Sequence, residues 1–151
     1  MVELNPHLTM EELMSLMLFE EDGCTLKSWN LRGQGLTTLP ESFGSLTLTG
    51  NLNLFGNQLR TLPESFGSLK VGNPDLWSGS LNMAGNQLTT LPESFGSLTV
   101  GKHLYLGHNQ LRTFPRSFGS ITVGGDLSVS YKRGMRFPRF PNMKGVLRSA
   151  E

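Results

Sequence analysis

The octapeptide LPESFGSL stands at residues 39–46, 62–69 and 91–98, and returns as FPRSFGSI at 114–121. Successive copies begin 23, 29 and 23 residues apart, so one interval carries six extra residues and the others share a period. A period in the twenties with leucines at fixed offsets predicts stacked coils, because no single coil can bury its own apolar face. The segments before each octapeptide extend the pattern. NLNLFGNQLRTLP (51–63), SLNMAGNQLTTLP (80–92) and HLYLGHNQLRTFP (103–115) superimpose without gaps, and worn copies flank them as SWNLRGQGLTTLP (28–40) and DLSVSYKRGMRFP (126–138). The expected strand cores are therefore Trp29/Leu31, Leu52/Leu54, Leu81/Met83, Leu104/Leu106 and Leu127/Val129.

This arrangement resembles the leucine-rich repeat family, whose LxxLxLxxNxL signature is followed here by LPxxFGxL across residues 26–141. The convex segment is similar to that of intracellular members and to cassettes of algal and protist ones. The resemblance implies an α/β repeat: a solenoid of about five coils with a parallel β-sheet on the concave face. In one layer the chain departs from the signature. The first leucine survives only as Leu26 and becomes Thr49, Ser78, Gly101 and Gly124 in later turns. The pairs Leu46/Leu48, Leu69/Val71, Leu98/Val100 and Ile121/Val123 are expected to fill that volume from the convex side.

The chain divides into an N-terminal cap (1–25), the repeats (26–141) with an insertion near 73–78, and a C-terminal tail (142–151). In the cap, Thr9 and Glu12 suit a helix start and Gly23 a stop. Its face of Met10, Leu13, Met14, Met17 and Phe19 can cover the first coil or dock on a partner. At the other end Gly134 stands where Leu111 stood, and a basic, proline-containing cap follows, in which Pro138 and Pro141 are expected to block sheet growth beyond Val129. Capping explains this segment better than nucleic-acid binding, since no nucleic-acid motif accompanies it.

Net charge is +1, but acidic residues gather before Lys27 and basic ones after Arg112. Such an axial dipole can steer a charged partner or simply solvate two caps. Cys24 is the single cysteine, and the apolar run at 14–19 is too short for a signal or a membrane span. These features predict an intracellular protein, cytoplasmic or organellar, with no transmembrane segment.

Stacked strands turn equivalent positions into columns. The first concave column is Ser28, Asn51, Ser80, His103, Asp126; the second is Asn30, Asn53, Asn82, Tyr105, Ser128. The third begins Arg32, Phe55, Ala84, and the fourth is Gly33, Gly56, Gly85, His108, Tyr131. We expect partner contacts from Arg32, Asn53, Phe55, His103, Tyr105, His108, Asp126 and Tyr131 on this face, and from Trp77 on the insertion. Ser80, His103 and Asp126 have the residue types of a hydrolytic triad, but an open strand face offers neither an oxyanion hole nor exclusion of water. His103, His108 and Asp126 lack a characteristic metal spacing. Asn57, Asn86 and Asn109 hold the asparagine position and are expected to form a structural ladder, with Gln34 and Lys132 replacing it in the terminal turns. Phe43, Phe66, Phe95 and Phe118 are expected to form a convex aromatic spine.

These readings predict a non-enzymatic protein-interaction module without cofactor, an adaptor or assembly factor binding another protein and no nucleic acid. The alternative is a structural accessory subunit of a large organellar or membrane-associated complex. A hydrolase using Ser80, His103 and Asp126 is the remote third.

Overall fold

Two parallel ladders run the length of the stack, one on either side of a phenylalanine-bearing turn. In the computed structural model, residues 28–130 and 135–149 are described. The expected N-terminal helix, Leu26, Tyr131, Lys132 and Gly134 lie outside them. In chain order the strands are β1 (Trp29–Asn30), β2 (Thr47–Leu48), β3 (Leu52–Asn53), β4 (Lys70–Val71) and β5 (Leu81–Asn82), then β6 (Thr99–Val100), β7 (Leu104–Leu106), β8 (Thr122–Val123), β9 (Leu127–Val129) and β10 (Leu147–Ser149). The first sheet has the order β1-β3-β5-β7-β9-β10 and the second β2-β4-β6-β8, every pair parallel. Each octapeptide supplies a 3-10 turn between the ladders, at Glu41–Ser45, Glu64–Ser68, Glu93–Ser97 and Arg116–Ser120.

Asparagine keeps the early strands of the first sheet short. The Oδ1 atoms of Asn30, Asn53 and Asn82 accept the N–H groups of Arg32, Phe55 and Ala84 at 3.1, 2.9 and 3.0 Å, which withdraws those amides from the inter-strand ladder. Where Tyr105 and Ser128 replace the asparagine, β7 and β9 extend to three residues.

The core is one continuous cluster, and the pairs Leu69/Val71, Leu98/Val100 and Ile121/Val123 are buried within it, occupying the layer that the missing first leucine leaves. Phe43, Phe66 and Phe95 stack with ring centroids 6.1 Å apart, Trp29 continues the column at 6.0 Å, and Phe118 closes it, tilted, at 6.0 Å. Hydrogen-bonded strands sit about 4.8 Å apart, and the stacked rings are spaced more widely than that.

The glycine after each phenylalanine answers to the next coil. A Cβ on Gly44, Gly67 or Gly96 would lie 2.0, 1.7 or 2.2 Å from the carbonyl oxygen of Ser65, Ser94 or Ser117. In the same layer the hydroxyls of Ser65, Ser94 and Ser117 donate to the carbonyls of Glu41, Glu64 and Glu93. ESFG thus recurs because serine and glycine are the two residues that weld one turn onto its neighbour.

The asparagine position works from inside. Asn57 is buried; its Oδ1 accepts the N–H groups of Gln34 and Leu36 at 3.0 Å, and its Nδ2 donates to the carbonyls of Leu31 (2.9 Å) and Leu54 (3.0 Å). Asn86 and Asn109 repeat these bonds across the next coils, accepting from Leu59 and Leu88 at 3.1 Å.

The C-terminal end needs a correction. Residues 142–151, read above as a tail, contain β10, which pairs with β9 and makes six strands instead of five. Pro138 and Pro141 do not stop the sheet, because they lie in the connection before β10 and not in a strand. This last coil is short: Val146 donates to Asp126 across a separation of 20 residues. Phe114, Phe137, Phe140 and Met143 pack against the buried cluster and cover its end. Phe114 stacks on Phe118 at 4.5 Å and Phe140 meets it edge-on at 5.4 Å.

Candidate functional site

The insertion is a closed, rigid loop. Asn73 and Ser78 bridge its base with reciprocal backbone bonds of 2.9 and 3.3 Å, and the Asn73 side chain caps the short 3-10 turn Pro74–Leu76 by accepting the Asp75 N–H at 2.9 Å. Gly72 and Gly79, at φ 73° and 87°, bring the two limbs so close that a Cβ on Gly79 would lie 2.4 Å from the Gly72 Cα. The turn ends on Trp77 at φ 48°, a left-handed conformation that costs a bulky residue about 1–2 kcal/mol. Leu76 and Trp77 remain 74% and 53% exposed.

Trp77 reaches the strand face. Its ring meets His103 edge-on with centroids 5.8 Å apart, His103 lies 5.9 Å from the ring of Tyr105, and the Lys102 Nζ sits 4.3 Å over the indole. The insertion and the concave residues, which the sequence places on two separate patches, are one surface. Beside it is a shallow hollow of about 280 Å³ lined by Asn51, Asn53, Ser80, Asn82, Lys102 and Tyr105. Toward the N-terminal end the Arg32 guanidinium lies 4.7 Å over the Phe55 ring. His108 occupies the left-handed position that glycine fills in earlier coils, at φ 53°, and its N–H donates to the Ser130 Oγ at 2.8 Å. Tyr131 lies outside the described residues. A larger hollow of about 480 Å³ on the flank, between Thr37 and Gln87, carries no aromatic side chain.

The first concave column is a hydrogen-bond relay. Each side chain accepts the N–H of its counterpart one coil later: Ser28 from Asn51 (2.9 Å), Asn51 from Ser80 (2.8 Å), Ser80 from His103 (3.3 Å), His103 from Asp126 (3.0 Å) and Asp126 from Val146 (2.9 Å). Serine, asparagine, histidine and aspartate share this column because each offers a short-reach acceptor.

The triad reading therefore gains no support from the geometry. The Ser80 Oγ accepts a hydrogen bond from the backbone N–H of His103, the His103 Nδ1 accepts one from that of Asp126, and the carboxylate of Asp126 accepts from the Val146 N–H and from Arg148 Nε at 2.7 Å. Those two bonds, the Val146 N–H first, hold the Asp126 carboxyl below the usual carboxylate range against a smaller opposing effect of desolvation. Among the described residues no three His, Cys, Asp or Glu side chains converge on a metal-sized site. None of their helices is long and apolar enough to cross a membrane.

The sequence placed Asn51 and Asn82 in the concave columns but not among the expected contacts, and it did not bring Lys102 or Arg148 to this surface. The signal for Asn51 lay in the column itself, where every member carries an acceptor; Arg148 entered only through the unrecognised strand β10.

A family model described as Leucine Rich Repeat matches residues 51–69 and 80–98. No curated protein matches the chain. Among solved structures, a leucine-rich repeat protein of Leptospira interrogans aligns at 21% identity and a TM-score of 0.29, over 80% of this chain and 46% of that one. The chain thus spans less than half the length of that relative. The two matched segments repeat, coil on coil, the strands, ladder asparagines and stacked phenylalanines found from Trp29 to Val129, and the chain carries leucine-rich repeats at these segments.

Proposed function

We propose that this solenoid is a non-catalytic protein-binding module, an adaptor or assembly factor, whose contact surface is the concave face together with the Trp77 loop. Leucine-rich repeats generally serve as protein-interaction scaffolds. One observation carries the reading: Trp77 is held half-exposed in a left-handed turn and abuts His103, which in turn meets Tyr105, itself 37% exposed. Aromatic side chains pinned in advance lose little freedom on binding, which is what interface hot spots exploit. The backbone strain is consistent with a position kept for its outward side chain.

The test is affinity capture from the native source with mass spectrometry, comparing the parent with Trp77→Ala and Tyr105→Ala. Truncating a hot-spot aromatic commonly costs about 2 kcal/mol, or roughly thirtyfold in affinity. If folded variants capture the same partners at the same strength, this surface is wrong. The accessory-subunit alternative is tested by charge reversal at the exposed Arg136 and Arg139 of the last coil, since Trp77 and Tyr105 belong to one patch and do not separate the two readings.

A further inference from the structure

Three asparagines line the hollow beside Trp77, and the oxygen of each is already engaged by a backbone N–H. The Oδ1 of Asn51 takes the Ser80 N–H, that of Asn53 takes the Phe55 N–H, and that of Asn82 takes the Ala84 N–H, at 2.8, 2.9 and 3.0 Å. These bonds fix each amide flip, because only the oxygen can accept from a backbone N–H. The three Nδ2 groups are left to the hollow, and among the described residues none donates within the protein. Ser80 follows the same rule: its oxygen accepts from His103, so its hydroxyl hydrogen is free to turn outward. Lys102 lines the hollow as well and adds a positive charge, steadied over the Trp77 ring. No carboxylate belongs to the lining, and the one on the adjoining column, Asp126, is tied to Arg148. Beside Leu52 and Tyr105, the lining thus presents amide N–H, hydroxyl and ammonium groups.

From this polarity we infer that the hollow receives carboxylates: it fits an acidic, extended segment of the protein partner, laid across β3, β5 and β7 with Asp or Glu side chains against Asn53, Asn82 and Lys102. The charge complementarity is what selects this occupant. A donor-rich surface discriminates against a segment that brings mainly further donors, since most of those would be desolvated without partners. The Trp77 ring borders the same hollow through Lys102, so an apolar residue of the segment can rest on it while the carboxylates bind. This inference rests on the interface reading above and adds the chemistry of the partner.

The experiment uses the full chain and a hexaglutamate peptide, with hexaglutamine and inorganic phosphate as comparisons, followed by the side-chain amide resonances of Asn51, Asn53 and Asn82. Hexaglutamate is expected to shift these resonances and to bind less tightly as salt rises, while hexaglutamine leaves them in place. The deciding variant is Asn53→Asp with Asn82→Asp. Each new carboxylate still accepts the Phe55 or Ala84 N–H, so the turns persist, but two outward donors become negative charges. Binding should fall by about tenfold or more. Lys102→Gln, which touches no turn, supplies a second variant with a loss in the same direction. Equal binding of hexaglutamine, tighter binding of phosphate at the same resonances, or hexaglutamate affinity unchanged in folded variants overturns the inference. In the capture experiment, a native partner lost by Trp77→Ala but retained by the double aspartate variant would sink the carboxylate chemistry and leave the interface standing. A partner indifferent to both would sink both.

Discussion

Asn86 makes four hydrogen bonds from one buried amide: it accepts from Leu59 at 3.1 Å and donates to Leu54 and Met83 at 3.0 Å and to Ala84 at 3.4 Å. Asn82, four residues earlier, makes one, to the Ala84 N–H, from a half-buried position. Asn86→Leu leaves several backbone groups unpaired in the interior and is expected to cost about 3 kcal/mol, against about 1 kcal/mol for Asn82→Leu. Urea midpoints compare the two directly; equal values would show that these asparagines do not hold the inside and outside of the coil. A second test at this scale concerns His108, which sits at φ 53° where Gly33, Gly56 and Gly85 precede it. Glycine removes the steric cost of that conformation but gives up some unfolded-state entropy, so His108→Gly should leave stability unchanged or raise it by about 1 kcal/mol. A clear drop in melting temperature would mean that the imidazole contributes more than its strained backbone costs.

At the scale of elements, the insertion is separable. Gly72 and Gly79 already lie against each other, and deletion of residues 73–78 restores the period of the neighbouring coils. The shortened chain is expected to fold with a stability within about 1 kcal/mol of the parent, because shortening a surface loop changes closure entropy little, and to lose partner capture. Thermal unfolding beside the capture experiment checks both halves; a deletion that unfolds the protein would show the loop to be structural. The strands of the first sheet were legible in the sequence because Leu52/Leu54 and Leu81/Met83 alternate at a fixed distance from a repeated octapeptide. The pairs such as Leu69/Val71 were legible as core, though not as a second hydrogen-bonded ladder, since two residues are too few to display a strand period. Strand β10 was not legible: its coil drops the LPxxFG pattern, and prolines near a strand argue against one. The surface was legible by residue type at Trp77, His103 and Tyr105. Their meeting, and the relay from Ser28 to Asp126, depend on how far each coil stands from the next, which no single copy records.

Across the whole molecule, each coil touches only its neighbours, so stability is passed along the stack and the ends are its weakest points. The last coil hangs on β10, whose attachment includes the Val146 N–H to Asp126 bond and the Asp126–Arg148 pair. Arg148 is well exposed, so the pair itself is screened by solvent and salt. The carboxylate nonetheless links this end to pH. Its folded-state pKa is lowered from 3.8, the Val146 amide being the largest cause and the Arg148 side chain the next. A lowered pKa means that the ionised form is favoured by folding; its contribution is present above the ordinary carboxylate value and is lost as pH falls through the lowered one. Acidification below 3.8 should therefore release β10 before the middle of the stack. Hydrogen exchange read residue by residue would show the Val146 and Leu127 amides losing protection first, while those of Leu81 and Met83, bonded to His103 and Tyr105 at 2.9 and 2.8 Å, stay closed. Asp126→Asn keeps an oxygen for the Val146 N–H but cannot titrate, so in that variant the early step should vanish. If all coils lose protection together in the parent, or if the step persists in Asp126→Asn, the last coil is not governed by this carboxylate and the stack opens as one unit.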